Sequence, residues 1–202
     1  MIIIEHLEVY GINSAMRAIR NPMNSWKLND TKDNEIGAND LDLLLRLCKA
    51  GADHRKVLRQ MLISFDVVAP LYWWKEFDTY KVGTVSNSCS TMHKLTSRKL
   101  TRDDFSFEDM HDNESIVNEV INNLNARIDD YKITNNKSLW RTIIQLLPCA
   151  YNQRRTITCN YEVILNMYQQ RKHHKLKEWL DFCWYMKINL PYLDLIVDAV
   201  EK

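Results

Sequence analysis

The chain has 202 residues, of which 46% are hydrophobic, and carries 27 Lys and Arg against 26 Asp and Glu. This near-neutral charge argues against the broad basic surface of a nucleic-acid-binding or membrane-surface protein, so we expect neither partner. Four Gly and four Pro are few for this length and favour helices over a turn-rich β-fold.

The five cysteines are odd in number and widely spaced, without a CxxC pair or a Cys/His cluster of zinc spacing. We therefore expect reduced thiols, no metal site and a cytoplasmic protein. Met1–Ile4 is too short an apolar run for a signal peptide, and no other run approaches the length of a membrane span.

Periodicity and turn residues predict the elements of the first half of the chain. In the Met61–Val68 segment, Ile63, Phe65 and Val67 alternate with Leu62, Ser64 and Asp66, which is typical of a strand with one face more buried than the other. The predicted elements are a strand over Ile2–Tyr10, a short helix capped by Asn13 or Ser14 and running to Arg20, a loop over Asn21–Asn39, a helix over Asp40–Ala50, a strand over Met61–Val68 and an aromatic helix over Leu71–Phe77.

The stretch Leu71–Met92 contains the candidate site loop. After its aromatic block it becomes a run of small hydroxyl, amide and thiol residues from Thr84 to Thr91, which no core needs. Short side chains of this kind leave backbone N–H groups open to an anion or a nucleotide. A solvated connection is the alternative, because most loops are polar.

The second half of the chain predicts further helices and one short strand. His93–Asp112 interleaves both signs of charge without an apolar stripe, which predicts a solvated excursion. The following elements are a helix capped by Asp112 or Asn113 whose apolar period runs to Ile128, a helix over Lys137–Leu147, a strand over Arg154–Cys159, a helix over Tyr161–Gln170 capped by Asn160, a helix over Leu176–Ile188 and a last helix from Pro191 to Val200. Together they indicate a helix-dominated α+β fold with few strands.

Arg171 lies on the side of its helix that carries Ile164, Met167 and Tyr168. An arginine among apolar residues needs an anion, and a phosphate suits its planar fork of donors. The alternative is that Arg171 extends to solvent and pairs with the carbonyls at the helix C-terminus. The pair Arg154-Arg155 either adds to such a site or is ordinary surface.

Several strings together resemble the flavin-dependent thymidylate synthases, the ThyX family. Ser14–Arg20 (SAMRAIR) is similar to the family's first-helix Ala-Val-Arg-Ala-Ala-Arg string, and Ala69-Pro70 resembles the segment before its signature. Ser86–Ser90 (SNSCS) falls near the family's Asn-Glu-x-Ser. Leu-Pro at 147–148, followed by Asn160, Asn166 and Arg171, keeps the family's downstream spacing.

The chain also departs from the family signature. The leading Arg-His-Arg is replaced by Thr79-Tyr80-Lys81, of which only Lys81 is a cation. The signature glutamate becomes Ser88, and the closing arginine becomes Met92. The arginine implicated in activating the pyrimidine falls at Ile144, and the one two positions after Asn160 falls at Glu162.

The resemblance implies a single ThyX-like domain over residues 1–202, with a small, mainly antiparallel sheet. It implies binding of FAD and dUMP in a homotetramer, with NADPH and methylenetetrahydrofolate as co-substrates of any dTMP synthesis. Carried over by position, Asn166 would contact flavin, and the nucleotide-binding residues would be Lys81, Asn87, Ser88, Ser90 and Arg171. Cys89 is interpreted as a small loop residue rather than a nucleophile, because the family chemistry needs none.

Three hypotheses follow from the sequence. The first is a divergent ThyX-like protein that binds a flavin, a pyrimidine nucleotide or both. The second is a non-catalytic assembly or interaction protein that keeps the fold. The third is a working thymidylate synthase in which Lys81, Arg154 or Arg155 replaces the missing arginines. The sequence assigns no catalytic residue.

Overall fold

The computed structural model describes residues 2–202, and their helices and strands confirm the helix-dominated α+β prediction. Four strands form one antiparallel sheet in the order β1-β2-β4-β3. The elements are β1 Ile3–Tyr10, α1 Ile12–Ile19, α2 Ala38–Lys49, β2 Leu62–Pro70, α3 Leu71–Phe77, β3 Val85–Ser88, α4 Thr91–Lys94, α5 Glu114–Thr134, α6 Lys137–Leu146, β4 Asn152–Asn160, α7 Tyr161–Arg171, α8 Lys177–Asn189 and α9 Leu193–Glu201.

The described chain divides into two compact units. Unit 1 comprises the chain up to Ile3 together with Val67–Thr79 and Asn87–Arg155. Unit 2 comprises Ile4–Asp66, Tyr80–Ser86 and Thr156–Lys202. Strands β2 and β4 therefore each contribute residues to both units, and one domain over residues 1–202 stays a prediction.

The core of unit 2 begins on β2, where the predicted alternation is confirmed. Ile63 and Phe65 are buried, whereas Leu62 is 43% exposed. The Phe65 ring lies 6.2 Å from the ring of Phe182 on α8, which in turn lies edge-on to Trp179 at 5.6 Å. These aromatic contacts fix α8 against the sheet, because offset and edge-to-face pairs add to the free energy of apolar burial.

A buried carboxylate organises the segment between α1 and α2 in unit 2. Asp40 is fully buried, and its Oδ1 accepts a hydrogen bond of 2.8 Å from Arg20 Nε and pairs with Arg20 Nη2 at 2.7 Å. Its Oδ2 accepts bonds from Asn29 Nδ2 and from the backbone N–H groups of Asp30 and Thr31. The predicted loop over Asn21–Asn39 is thus tied to the first turn of α2 by a saturated carboxylate.

The charged segment His93–Asp112 in unit 1 is not the solvated loop that the sequence predicts, because some of its apolar side chains are buried. Leu95, Leu100 and Phe105 are buried and join α5 and α6 in one apolar cluster. These three residues are spaced five apart and follow neither a helical nor a strand period. Their burial therefore left no periodic signal in the sequence.

One helix start differs from its prediction, and a second agrees with its prediction in position only. The cap predicted at Asn13 or Ser14 is wrong, because Gly11 precedes α1 with φ of 84° and the Ser14 hydroxyl donates to the Gly11 carbonyl. A Cβ at Gly11 would lie 2.7 Å from the Gln60 carbonyl oxygen, so this position requires glycine. Asn113 stands at the N-cap of α5 without a side-chain hydrogen bond to the helix.

Within residues 2–202, no helix is both long enough and apolar enough to span a membrane.

Candidate functional site

Arg171 is the last residue of α7 and is held by aromatic side chains of unit 2. The helix begins with the predicted cap, in which Asn160 Oδ1 accepts a hydrogen bond of 3.1 Å from the Val163 backbone N–H. At the other end, Arg171 Nε donates to Tyr80 Oη at 2.9 Å. The guanidinium carbon lies 5.0 Å from the Trp179 ring centre and 5.7 Å from that of Tyr80. Cation–π attraction and this hydrogen bond therefore orient the half-buried Arg171.

Asn166 is linked to Arg171 through two intervening side chains. Tyr80 Oη lies 3.0 Å from Gln170 Oε1 and donates to it. Gln170 Nε2 donates to Asn166 Oδ1 at 2.8 Å, across one turn of α7. We call the chain Arg171, Tyr80, Gln170, Asn166 the α7 relay. Sequence reasoning singled out its two ends but assigned no function to Tyr80 or Gln170.

The exposed Lys81 follows Tyr80 and opens a tight turn. Gly83 in this turn has φ of 75°, and a Cβ there would lie 3.0 Å from Asn160 Nδ2 and 3.4 Å from Val163 Cγ2. Glycine is thus required where the turn passes the start of α7. Next to it, Thr84 Oγ1 is buried and has no hydrogen-bond partner among the described residues. A buried hydroxyl of this kind fits a bound water or a polar ligand atom.

The predicted nucleotide-binding residues Asn87, Ser88 and Ser90 belong to unit 1. Asn87 and Ser88 are exposed and lie in β3, so part of the predicted loop is a strand. Ser90 Oγ accepts a hydrogen bond of 3.1 Å from the His93 backbone N–H and caps α4. The adjacent Cys89 N–H donates to the Arg154 carbonyl at 2.9 Å. The stretch from 87 to 90 is therefore partly used in strand pairing and capping.

The two arginines of β4 differ in their surroundings. Arg155, whose side chain is 13% exposed, pairs with Asp78 at 2.7 Å and stacks over the Trp74 ring at 4.2 Å. Arg154 is exposed. The contacts of Arg155 lie within unit 1 and give it a structural role in positioning the end of α3.

The five cysteines are free thiols, and they fall into two groups. Cys48, Cys159 and Cys183 are buried, and burial raises the pKa of each thiol to about 12. For Cys183 the charge of Arg171 opposes this shift. Cys89 and Cys149 are exposed, and Cys149 Sγ lies 3.1 Å from Lys75 Nζ.

No protein-family model matches the sequence, and no curated protein matches it. By structure, thymidylate synthase X (ThyX) from Helicobacter pylori, solved with FAD and dUMP, matches with a TM-score of 0.76 at 19% identity, covering 100% of this chain and 99% of that chain. The UMP/dUMP methylase PolB from Streptomyces cacaoi, bound with 5-Br dUMP, matches with a TM-score of 0.68 at 12% identity, covering 100% of this chain and 95% of that chain. The chain has the ThyX fold.

Two positions at which the family pattern has arginines are occupied here by Ile144 and Glu162. Ile144 on α6 is partly buried and packs against the apolar cluster of unit 1. Glu162 on α7 accepts hydrogen bonds from Arg55 Nε and Nη2 at 3.0–3.1 Å, with the Arg55 side chain 11% exposed and Glu162 22%. Both side chains are therefore used in contacts within this chain, one apolar and one ionic.

Proposed function

We propose that the protein binds a flavin, FAD, together with a pyrimidine nucleotide such as dUMP. The observation that carries the proposal is the ThyX fold over the full chain, since the Helicobacter pylori ThyX structures contain both FAD and dUMP. The resemblance of Asn166 and Arg171 to the family's site residues supports it independently of the fold.

The proposed roles follow from the chemistry of each side chain. Arg171, oriented by Tyr80 and Trp179, supplies donors for a phosphate or a pyrimidine carbonyl. Lys81 supplies a mobile positive charge, and the exposed amide of Asn166 donates to a flavin carbonyl.

Asn87, Ser88 and Ser90 supply short polar groups for the nucleotide. The buried Thr84 hydroxyl is a further group that a polar ligand atom would satisfy. Donor groups of these kinds suit both ligands, and bound FAD would supply hydride chemistry. The homotetramer and the cytoplasmic location implied by the resemblance are part of the same proposal.

Synthesis of dTMP, with NADPH and methylenetetrahydrofolate as co-substrates, requires more than binding of the two ligands. Ile144 offers no charge where the family arginine is implicated in activating the pyrimidine, and Glu162 reverses the charge at a second arginine position. A missing cation of this kind removes electrostatic stabilisation of developing negative charge. The proposed function is therefore ligand binding, and rescue of a thymidine auxotroph decides whether synthesis accompanies it.

The proposal is tested by the visible absorption spectrum of the purified protein during titration with FAD and then dUMP. We expect a bound-flavin spectrum that changes when dUMP is added. Arg171→Ala should abolish the change, whereas Lys172→Ala should retain it, because Lys172 is the neighbouring cation and pairs with Glu201 instead. Absence of flavin binding, together with absence of dUMP binding by calorimetry, would overturn the proposal and favour the assembly protein.

A further inference from the structure

We propose that Tyr80 and Gln170 couple flavin binding to nucleotide binding through the α7 relay. The inference rests on the proposed function, which assigns Asn166 to the flavin and Arg171 to the nucleotide. The relay joins these two residues by three hydrogen bonds of 2.8–3.0 Å, all within unit 2.

Arg171 fixes the direction of every hydrogen bond in the relay. A guanidinium has donors and no acceptor, so Tyr80 Oη must accept from Arg171 Nε. The single Tyr80 hydroxyl proton is then given to Gln170 Oε1, and this orients the Gln170 amide so that Nε2 donates to Asn166 Oδ1. This bond turns Asn166 Oδ1 toward Gln170, so the Nδ2 group of Asn166 is the one presented to a ligand.

A flavin ring carries carbonyl oxygens, which are acceptors and suit the Nδ2 group of Asn166. A reversed Gln170 amide would instead turn the Asn166 carbonyl toward the ligand and oppose such an acceptor. Tyr80 and Gln170 are therefore positioning residues that act on the flavin through Asn166.

The exposure of the Asn166 and Gln170 side chains predicts that the coupling between the two ligands is positive. Asn166 and Gln170 are exposed, so ordering their side chains costs conformational entropy. A nucleotide that immobilises Arg171 also orders the relay, and the flavin then binds to a prearranged Asn166. We expect each ligand to tighten the binding of the other by the same factor, because coupling free energy is reciprocal.

The test measures the dissociation constant of FAD by fluorescence quenching, without dUMP and at saturating dUMP. The wild-type ratio should be at least about fivefold, the lower end of typical coupling. Tyr80→Phe and Gln170→Met should each bring the ratio close to one. Tyr168→Phe is the matched control, since Tyr168 also lies on α7 and its ring faces Lys172 and Lys187, outside the relay.

The double variant Tyr80→Phe/Gln170→Met should also give a ratio close to one, because residues of one chain of hydrogen bonds act together. In the ligand-free protein, Tyr80→Phe should also shift the side-chain amide resonance of Asn166, which Tyr80 reaches only through Gln170.

The outcomes separate the two proposals. If the wild type binds both ligands with a ratio of one, or if both single variants keep the wild-type ratio, the relay inference is overturned while the proposed function stands. If the wild type binds neither ligand, the proposed function fails, and the coupling fails with it.

Discussion

Arg55 and Glu162 lie 107 positions apart in the chain and form a three-bond ion pair at the start of α7. Glu162 stands two residues after Asn160, where the family pattern has an arginine. The pair therefore explains how unit 2 accommodates the reversed charge: Arg55 neutralises the carboxylate, and little of either side chain is exposed.

We predict that Glu162→Arg destabilises the fold because it places two guanidinium groups against each other. The expected loss in free energy of unfolding is roughly 3 kcal/mol, typical of a broken buried pair. The exchanged pair Arg55→Glu/Glu162→Arg should recover most of the loss, as measured by urea denaturation. An exchanged pair as unstable as the single variant would show that charge pairing is not what stabilises this contact.

Removing the Asp40 carboxylate should be more damaging than removing an exposed one. Asp40→Ala leaves Arg20 without its partner inside unit 2, and we expect a loss of at least about 3 kcal/mol. Limited proteolysis should then cleave within residues 21–39, which Asp40 holds in place. Asp42→Ala is the control: Asp42 pairs with Arg46 on the surface, and its loss should cost less than about 1 kcal/mol. Equal losses from the two variants would contradict this role for Asp40.

The thiols should divide into two classes toward an aromatic disulfide reagent at pH 8. Cys89 and Cys149 are exposed and should react in the native protein, whereas the buried cysteines, with pKa about 12, have only about one part in ten thousand as thiolate at this pH. Denaturant should release all five. Cys149→Ser should reduce the fast class to one thiol, and a fast class of three or more would refute this division.

Asp30 should make stability depend on pH in the acid range. Its carboxylate accepts hydrogen bonds from the backbone N–H groups of Asn39 and Asp40 at the start of α2. The Asn39 bond is the main cause that lowers the pKa of Asp30 below 3.8, with burial opposing it.

Because the folded pKa is the lower one, the stabilisation is complete above pH 3.8 and is lost as the pH falls through the folded pKa. We therefore predict that wild type is more stable than Asp30→Asn at pH 6 and that this difference shrinks below pH 3.8. Urea denaturation at a series of pH values measures it. A difference independent of pH would assign the effect to hydrogen-bond geometry rather than to charge.

The parts of the fold that the sequence predicts are those whose bounds are set by neighbouring residues in the chain. The aromatic helix Leu71–Phe77 was predicted with its observed bounds because Pro70 marks its start. Strand β3 was not predicted, since it is four residues long and polar, all of its residues are exposed, and its pairing depends on β4. The burial of Leu95, Leu100 and Phe105 was missed for the same reason: it depends on distant helices rather than on local period.

The candidate site likewise has residues that the sequence identifies and contacts that it does not. Spacing and resemblance singled out Asn166 and Arg171, but both interpretations of Arg171 considered only an anion or the helix end. Its observed hydrogen bond to Tyr80 joins segments 91 positions apart, and Trp179 belongs to the next helix, α8. The sequence predicts a reversal of charge at Glu162 but not its partner, because Arg55 lies in another segment of the chain.

The ends of the sheet have a consequence for aggregation. An outer strand presents unpaired backbone groups to which another chain can add. Strand β3 is too short to serve as a good template, and β1 carries Glu5 and Glu8 and has an irregular backbone at His6, where φ is 54°. Fibril growth by strand addition is therefore opposed at one edge by length and at the other by negative charge and an irregular backbone.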